Sequence, residues 1–275
     1  MNNDKVHARD LSRWKQKGRK IPMLTCYDYT MARILDRAGI PVLLVGDSLG
    51  QVVLGYESTL PVTLEDMIHH SRAVTRANPK GLVVSDMPFL SFQVSPEKAV
   101  EAAGRLIQAG RVDAVKLEGG GRSLEAISLI TQAGIPVMGH LGLTPQSILA
   151  MGDYRVQGRS DEAGQLLKDD AKRLEDAGCF AIVLEMIPAP LAGQISKSIQ
   201  IPTIGIGAGA DCDGQVLVLN DMLGLFDDFQ PKFVKRFLEG ASLIENAMRE
   251  YIKAVDSGQF PGVEHSFGLA DKGDK

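Results

Sequence analysis

One phrase recurs along this chain and limits its folding more than any other feature. Arg37-Ala38-Gly39-Ile40-Pro41-Val42 runs into Leu43-Leu44-Val45, and Gln108-Ala109-Gly110 precedes Val112-Asp113-Ala114-Val115. Gln132-Ala133-Gly134-Ile135-Pro136-Val137 follows, then Asp176-Ala177-Gly178 before Phe180-Ala181-Ile182-Val183-Leu184, with a looser case at Ile201-Pro202-Thr203-Ile204-Gly205. Each phrase reads as a helix that ends on glycine and passes into a short apolar strand. Glycine suits the left-handed residue just past a helix end. A continuously apolar strand suits a sheet covered on both faces.

The segments between have helical spacing. Ser95 and Pro96 read as an N-cap and first helical residue, with Ala99, Val100, Ala103, Leu106 and Ile107 behind them. Thr63 to Asp66 resembles a capping box ahead of Met67, Ile68 and Val74. Ser123 starts a helix with Ala126, Ile127 and Ile130 on one face. Eight strands are expected near 22–27, 42–47, 82–86, 113–118, 135–140, 180–185, 202–207 and 215–219. An early helix is expected over His7 to Lys17 and a long one over Pro231 to Val255. Strand–helix alternation over 275 residues favours an α/β fold, a single (β/α)8 TIM barrel across 1–275 with an extra N-terminal helix. An open doubly wound sheet is the competitor, and strand number favours the barrel. The polar stretch 260–275 reads as a loose tail.

Composition excludes more than it assigns. The chain is 44% hydrophobic and 23% charged, with 29 glycines and a formal net charge of −4. No basic stretch longer than Arg13 to Lys20 occurs, which argues against a nucleic-acid binder. No apolar run reaches membrane-spanning length. Cys26, Cys179 and Cys212 form no CxxC pair, so reduced thiols in a cytoplasmic protein are expected.

Charge collects at the strand ends. Val42-Leu43-Leu44-Val45-Gly46 ends on Asp47 and Ser48; Leu82-Val83-Val84-Ser85 ends on Asp86; Ala114-Val115 runs into Lys116, Leu117 and Glu118. His140, Glu185 and the pair Tyr27-Asp28 close three more strands. Barrel enzymes place catalytic groups at these C-terminal ends. Each residue also has a plainer reading. Asp47 and Asp86 suit helix N-caps, Lys116 with Glu118 a surface ion pair, His140 a hydrogen-bonded structural role, and Glu185 a solvated loop. Several acids at one end of the strands are improbable as independent caps. Carboxylates beside one lysine suit a hard cation such as Mg²⁺, and no paired His/Cys spacing suits zinc. Gly205-Ile206-Gly207-Ala208-Gly209 fits either a tight strand exit or a small-residue ligand wall, and Gly119-Gly120-Gly121 reads as a turn.

Together these segments resemble the ketopantoate hydroxymethyltransferase family. The likeness runs from about Leu24 to Phe267. It is carried by Leu24-Thr25-Cys26-Tyr27-Asp28, Val45-Gly46-Asp47-Ser48-Leu49-Gly50, Asp86-Met87-Pro88-Phe89, Val115-Lys116-Leu117-Glu118-Gly119-Gly120, Gly139-His140-Leu141-Gly142-Leu143-Thr144-Pro145-Gln146, Leu184-Glu185 and Ile204-Gly205-Ile206-Gly207-Ala208-Gly209. The resemblance implies a barrel of the phosphoenolpyruvate/pyruvate type. It implies hydroxymethyl transfer from 5,10-methylenetetrahydrofolate to 3-methyl-2-oxobutanoate, giving 2-dehydropantoate on the way to pantothenate. It further implies Mg²⁺ on Asp47, Asp86 and Glu118, oxo-acid contacts from Asp47, Ser48, Asp86 and Lys116, and Glu185 as proton acceptor. His140 and Tyr27 would line the pocket, and the chain would form a homo-oligomer, commonly a homodecamer. An isocitrate-lyase-type lyase is one competitor, but its Lys-Cys-Gly-His loop does not occur here. A non-catalytic metabolite-binding barrel is another, which turnover would separate.

Overall fold

The computed structural model describes residues 5–226 and 231–268. The chain divides into two compact units, Met1–Leu219 and Asn220–Lys275.

The first unit is a closed barrel of eight parallel strands in chain order: β1 Ile21–Thr25, β2 Val42–Val45, β3 Leu82–Asp86, β4 Ala114–Glu118, β5 Val137–Gly142, β6 Ala181–Glu185, β7 Thr203–Ile206 and β8 Gly214–Leu217. β8 closes on β1 through Ile21 to Leu24 against Gly214 to Leu217. The open doubly wound alternative is thereby excluded. β2, β3 and β4 are buried at every residue, which is why Val42–Val45 and the start of β3 read as continuous apolar runs rather than alternating ones; β4 is equally buried yet carries Lys116 and Glu118.

The N-terminal helix, Ala8–Gln16, has a defined place. Leu11 is fully buried among Ile21, Val42, Leu82, Ala114, Ala181 and Ile204, residues at or near the strand starts, with Val6, Ala8 and Trp14 packed around them. The helix therefore fills the N-terminal end of the barrel. Charged strand ends lie at the opposite end.

Local signals account for most element boundaries. Thr63 and Asp66 form a reciprocal capping box, and the Ser95 hydroxyl accepts from the Lys98 N–H at 3.3 Å. Gly39, Gly134 and Gly178 are left-handed at φ 80°, 84° and 95°, as the recurring phrase requires. The second phrase departs. A π-helical turn, Leu106–Gly110, ends that helix, and the left-handed residue is Arg111 at φ 60°. The wider turn takes up one extra residue, which moves the reversal past the glycine. Gly110 instead packs on Ser71, where a Cβ would lie 3.1 Å from the serine Cβ.

In the second unit the helix spans Gly240–Asp256 rather than starting at Pro231. The N–H groups of Phe237, Gly240 and Ala241 donate to the carbonyls of Met222, Leu223 and Gly224 at 2.8, 2.8 and 2.9 Å. That pairing diverts the preceding residues from helical bonding. In the expected tail, the Phe260 ring stacks edge-on to Tyr251 and tilts against His265; residues 269–275 lie outside the described part. Among the described residues, no helix is long and apolar enough to cross a membrane.

Candidate active site

Strand register assembles the polar cluster. Asp86 on β3 pairs with Lys116 on β4, and Glu118 on β4 pairs with His140 on β5. Lys116 and Glu118, two apart, share a face. Glu185 ends β6 opposite Gly142. Asp47 and Ser48 follow β2, and Tyr27 follows β1. All the strand-end residues singled out from the sequence except Asp28 lie in this mouth. Asp28 caps the helix Tyr29–Ala38 through the Met31 N–H at 2.9 Å.

The side chains interlock. Lys116 Nζ lies 2.8 Å from Asp86 Oδ1 and 3.3 Å from His140 Nδ1. Asp86 Oδ2 accepts the Asp47 backbone N–H at 3.0 Å. His140 lies with Nδ1 3.5 Å from Glu118 Oε1 and Nε2 3.1 Å from Glu185 Oε2. Tyr27 and Ser48 share a hydroxyl–hydroxyl hydrogen bond of 2.9 Å. The simpler readings of several residues fall away. Lys116 and Glu118 are buried, and the lysine pairs with Asp86. Ser48, not Asp47, occupies the N-cap position after β2. Glu185 is half-buried on its strand rather than free in a loop.

Burial first, and then Asp86 and Glu118, hold the Asp47 carboxyl well above its usual range. Burial disfavours the charge on Lys116, but Asp86, Glu118 and Asp47 outweigh it and hold the ammonium above its ordinary value. Burial and Lys116 likewise oppose charge on His140, yet Glu118 and Glu185 raise its imidazole to about 9. The cluster thus sets four carboxylates against two cationic groups. Asp86 Oδ1 and His140 Nε2 are buried with charged partners nearby but no aligned hydrogen bond. Asp86 Oδ1, an acceptor with a lone pair to spare, can take an added ligand atom. Among the described residues, no three His, Cys, Asp or Glu side chains already form a metal-binding group. Mg²⁺ needs only one or two carboxylates, with waters and substrate oxygens completing its shell, so the oxygen donors present fit it.

Sequence reasoning missed three participants. Gln146, on the turn after β5, donates Nε2 to Asp47 Oδ2 at 2.9 Å. His70 Nδ1 lies 2.7 Å from the Tyr27 carbonyl oxygen. The half-exposed Tyr154 has its phenol held above its usual value by burial, Glu185, Asp47 and Glu118, which places it near the mouth. Gln146 stood within a quoted motif; the other two carried no signal. Packing explains the glycine runs. A Cβ on Gly205 or Gly209 would strike Cys212 or Ala189, and one on Gly120 would strike Asp170. Gly205 lies within β7, and Gly209 and Gly120 just past β7 and β4.

Closed topology and a charged C-terminal mouth define an α/β-barrel enzyme. The same fold occurs in 2,3-dimethylmalate lyase, a PEP mutase/isocitrate lyase superfamily member, at TM-score 0.58 and 16% identity, covering 96% of this chain and 89% of that one. It occurs also in phosphonopyruvate hydrolase solved with oxalate and Mg++, at TM-score 0.60 and 11% identity, covering 94% and 93%. A family model for ketopantoate hydroxymethyltransferase matches residues 5–263. Two relatives named 3-methyl-2-oxobutanoate hydroxymethyltransferase are closely similar. That of Syntrophus aciditrophicus (strain SB) is 56% identical over 92% of this chain and 93% of its own. That of Clostridium novyi (strain NT) is 57% identical over 93% of both. The chain belongs to the ketopantoate hydroxymethyltransferase family and is a transferase.

Proposed function

We propose that the protein transfers a hydroxymethyl group from 5,10-methylenetetrahydrofolate to 3-methyl-2-oxobutanoate, giving 2-dehydropantoate for pantothenate biosynthesis. The observation that carries this reading is Glu185 standing 3.1 Å from His140 beside the buried Lys116–Asp86 pair. That arrangement sets a base next to a charged floor suited to a small anion. The named activity of relatives at 56% and 57% identity supports it.

Asp47, Asp86 and Glu118 would hold Mg²⁺, whose two charges would balance the excess carboxylate. The bound ion supplies positive charge to the keto and carboxylate oxygens of the oxo acid. Lys116 adds a fixed cation there, and Asp47, Ser48 and Asp86 orient the acid. Tyr27 and His140 line the pocket. Glu185 accepts the C3 proton, leaving a carbanion equivalent that attacks the methylene carbon of the folate, so that the new C–C bond forms as the first methylene C–N bond breaks. Water then replaces the second C–N bond, leaving its hydroxyl on the new CH2 group, and its other proton and the one held by Glu185 go to the two folate nitrogens as tetrahydrofolate departs. His140 Nε2, 3.1 Å from Glu185 Oε2, holds the Glu185 carboxylate in place.

Glu185→Gln keeps the shape but removes the basic oxygen. With Mg²⁺ and no folate, the wild-type protein should exchange the C3 hydrogen of the oxo acid with D₂O. The variant should be slower by about two to four orders of magnitude, read by NMR of the C3 signal. Wild-type exchange in the variant would remove Glu185 from the mechanism.

The protein acts in the cytoplasm, in keeping with three buried free thiols, and works as a homo-oligomer, by family a homodecamer. On helix Gly240–Asp256, the side chains of Leu243, Ile244, Met248, Tyr251, Ile252 and Val255 are exposed. An apolar stripe of this kind suits burial against another copy. Light scattering at micromolar concentration should show an assembly, and a monomer would overturn the assignment.

A further inference from the structure

We infer that Gln146 is a positioning residue that sets the two metal-facing carboxylates Asp47 and Glu118 relative to each other. The inference rests on the Mg²⁺ reading above and deepens it.

Gln146 is 5% exposed, and every polar group it offers toward the cluster is in use. Its Nε2 donates to Asp47 Oδ2 at 2.9 Å and to the Met87 carbonyl at 2.9 Å. Its backbone N–H donates to Glu118 Oε2 at 3.0 Å. Its Oε1 accepts from Gln93 Nε2 at 3.0 Å. The amide orientation follows from chemistry: Asp47 and Met87 present acceptors, so the NH₂ must face them. One residue on the turn after β5 thus ties together the exits of β2, β3 and β4. A buried carboxylate without such donors would be free to swing or to keep a proton. With Asp47 Oδ2 and Glu118 Oε2 both held by Gln146, the orientation of the two carboxylates is set. Glu118 Oε1 lies 3.5 Å from His140 Nδ1. The arrangement matches the outer-shell groups that orient metal ligands.

Gln93 is exposed at the mouth and holds the far end of the amide. It is a second, weaker handle on the same clamp.

The test measures binding of Mn²⁺, as a paramagnetic stand-in for Mg²⁺, to the free protein by electron paramagnetic resonance. Gln146→Met keeps the length but offers no donor; the backbone bond to Glu118 persists. Its Mn²⁺ affinity should fall by about 10- to 100-fold, and Gln93→Ala should weaken binding by a smaller factor in the same direction. In turnover, Gln146→Met should need about tenfold more Mg²⁺ to reach half of its own maximal rate. A role in stability alone would lower Tm and leave Mn²⁺ affinity and the Mg²⁺ requirement unchanged; that result overturns the inference. Should Gln146→Met not fold, Gln146→Asn, one methylene too short to reach Asp47, is held to the same outcomes. Failure of the wild-type protein to bind Mn²⁺ would instead overturn the metal reading itself.

Discussion

Gly142 and Glu185 are locked backbone to backbone. Gly142 is left-handed at φ 97°, and a Cβ there would collide with the Glu185 carbonyl oxygen. The next residue, Leu143, donates its N–H to that same oxygen at 2.9 Å. The exit of β5 therefore sets the position of the proposed base on β6.

Gly142→Ala meets two penalties at once, a strained φ and a backbone clash. The folded state should lose on the order of 1–3 kcal/mol, seen as a lower denaturant midpoint. The displaced Glu185 should also lower kcat/KM by about tenfold or more, since small misplacements of reacting groups are costly. Steady-state kinetics on the folded fraction would measure it. An unchanged kcat/KM would show that the clamp does not position the base.

Asp86→Ala should abolish Mg²⁺-dependent binding of the oxo acid, read by calorimetry with and without Mg²⁺. It would also strand Lys116, 5% exposed, beside Glu118 and Asp47 alone. Removing one partner of a buried pair costs about 3–5 kcal/mol. Asp86→Asn keeps the volume and an acceptor, so it should fold better yet lose the Mg²⁺ dependence equally. Retained Mg²⁺-dependent binding in the Asn variant would contradict the metal assignment.

His140 makes stability depend on pH in a stated window. Its folded value, about 9, lies above the ordinary 6.5. The stability it contributes is therefore complete below about pH 6.5 and lost as pH rises toward 9. Melting of metal-free protein should show a decline across that interval. His140→Gln should flatten it. A decline of equal size in the variant would assign the effect to another group.

Much of this architecture was legible locally. The phrase ending in Gly39, Gly134 and Gly178 works because a left-handed turn is written into the glycine itself. The caps at Thr63 and Ser95 are likewise contained within three residues. Where a boundary depended on a distant partner, the pattern was silent. Helix Gly240–Asp256 starts late because carbonyls near Leu223 claim the N–H groups ahead of it. Arg111 takes the left-handed role because a π-turn adds a residue, which helical spacing does not announce. The acids were visible as strand ends, but Gln146 reaches Asp47 across 99 positions. A neutral amide carries no charge pattern to betray it. His70, half-buried in an amphipathic helix, reads as any other helical residue.

Leu11 and its neighbours make the barrel a cup rather than a tube. The floor draws on the starts of all eight strands, whereas the charged rim draws on the ends of β2 to β6, so the two use different side chains, apolar below and charged above. Durability and chemistry can therefore drift separately in such a protein. Trimming the floor would lower the temperature at which the cup fails while leaving its contents bound as before, and any molecule reaching Lys116 must arrive and depart across the rim.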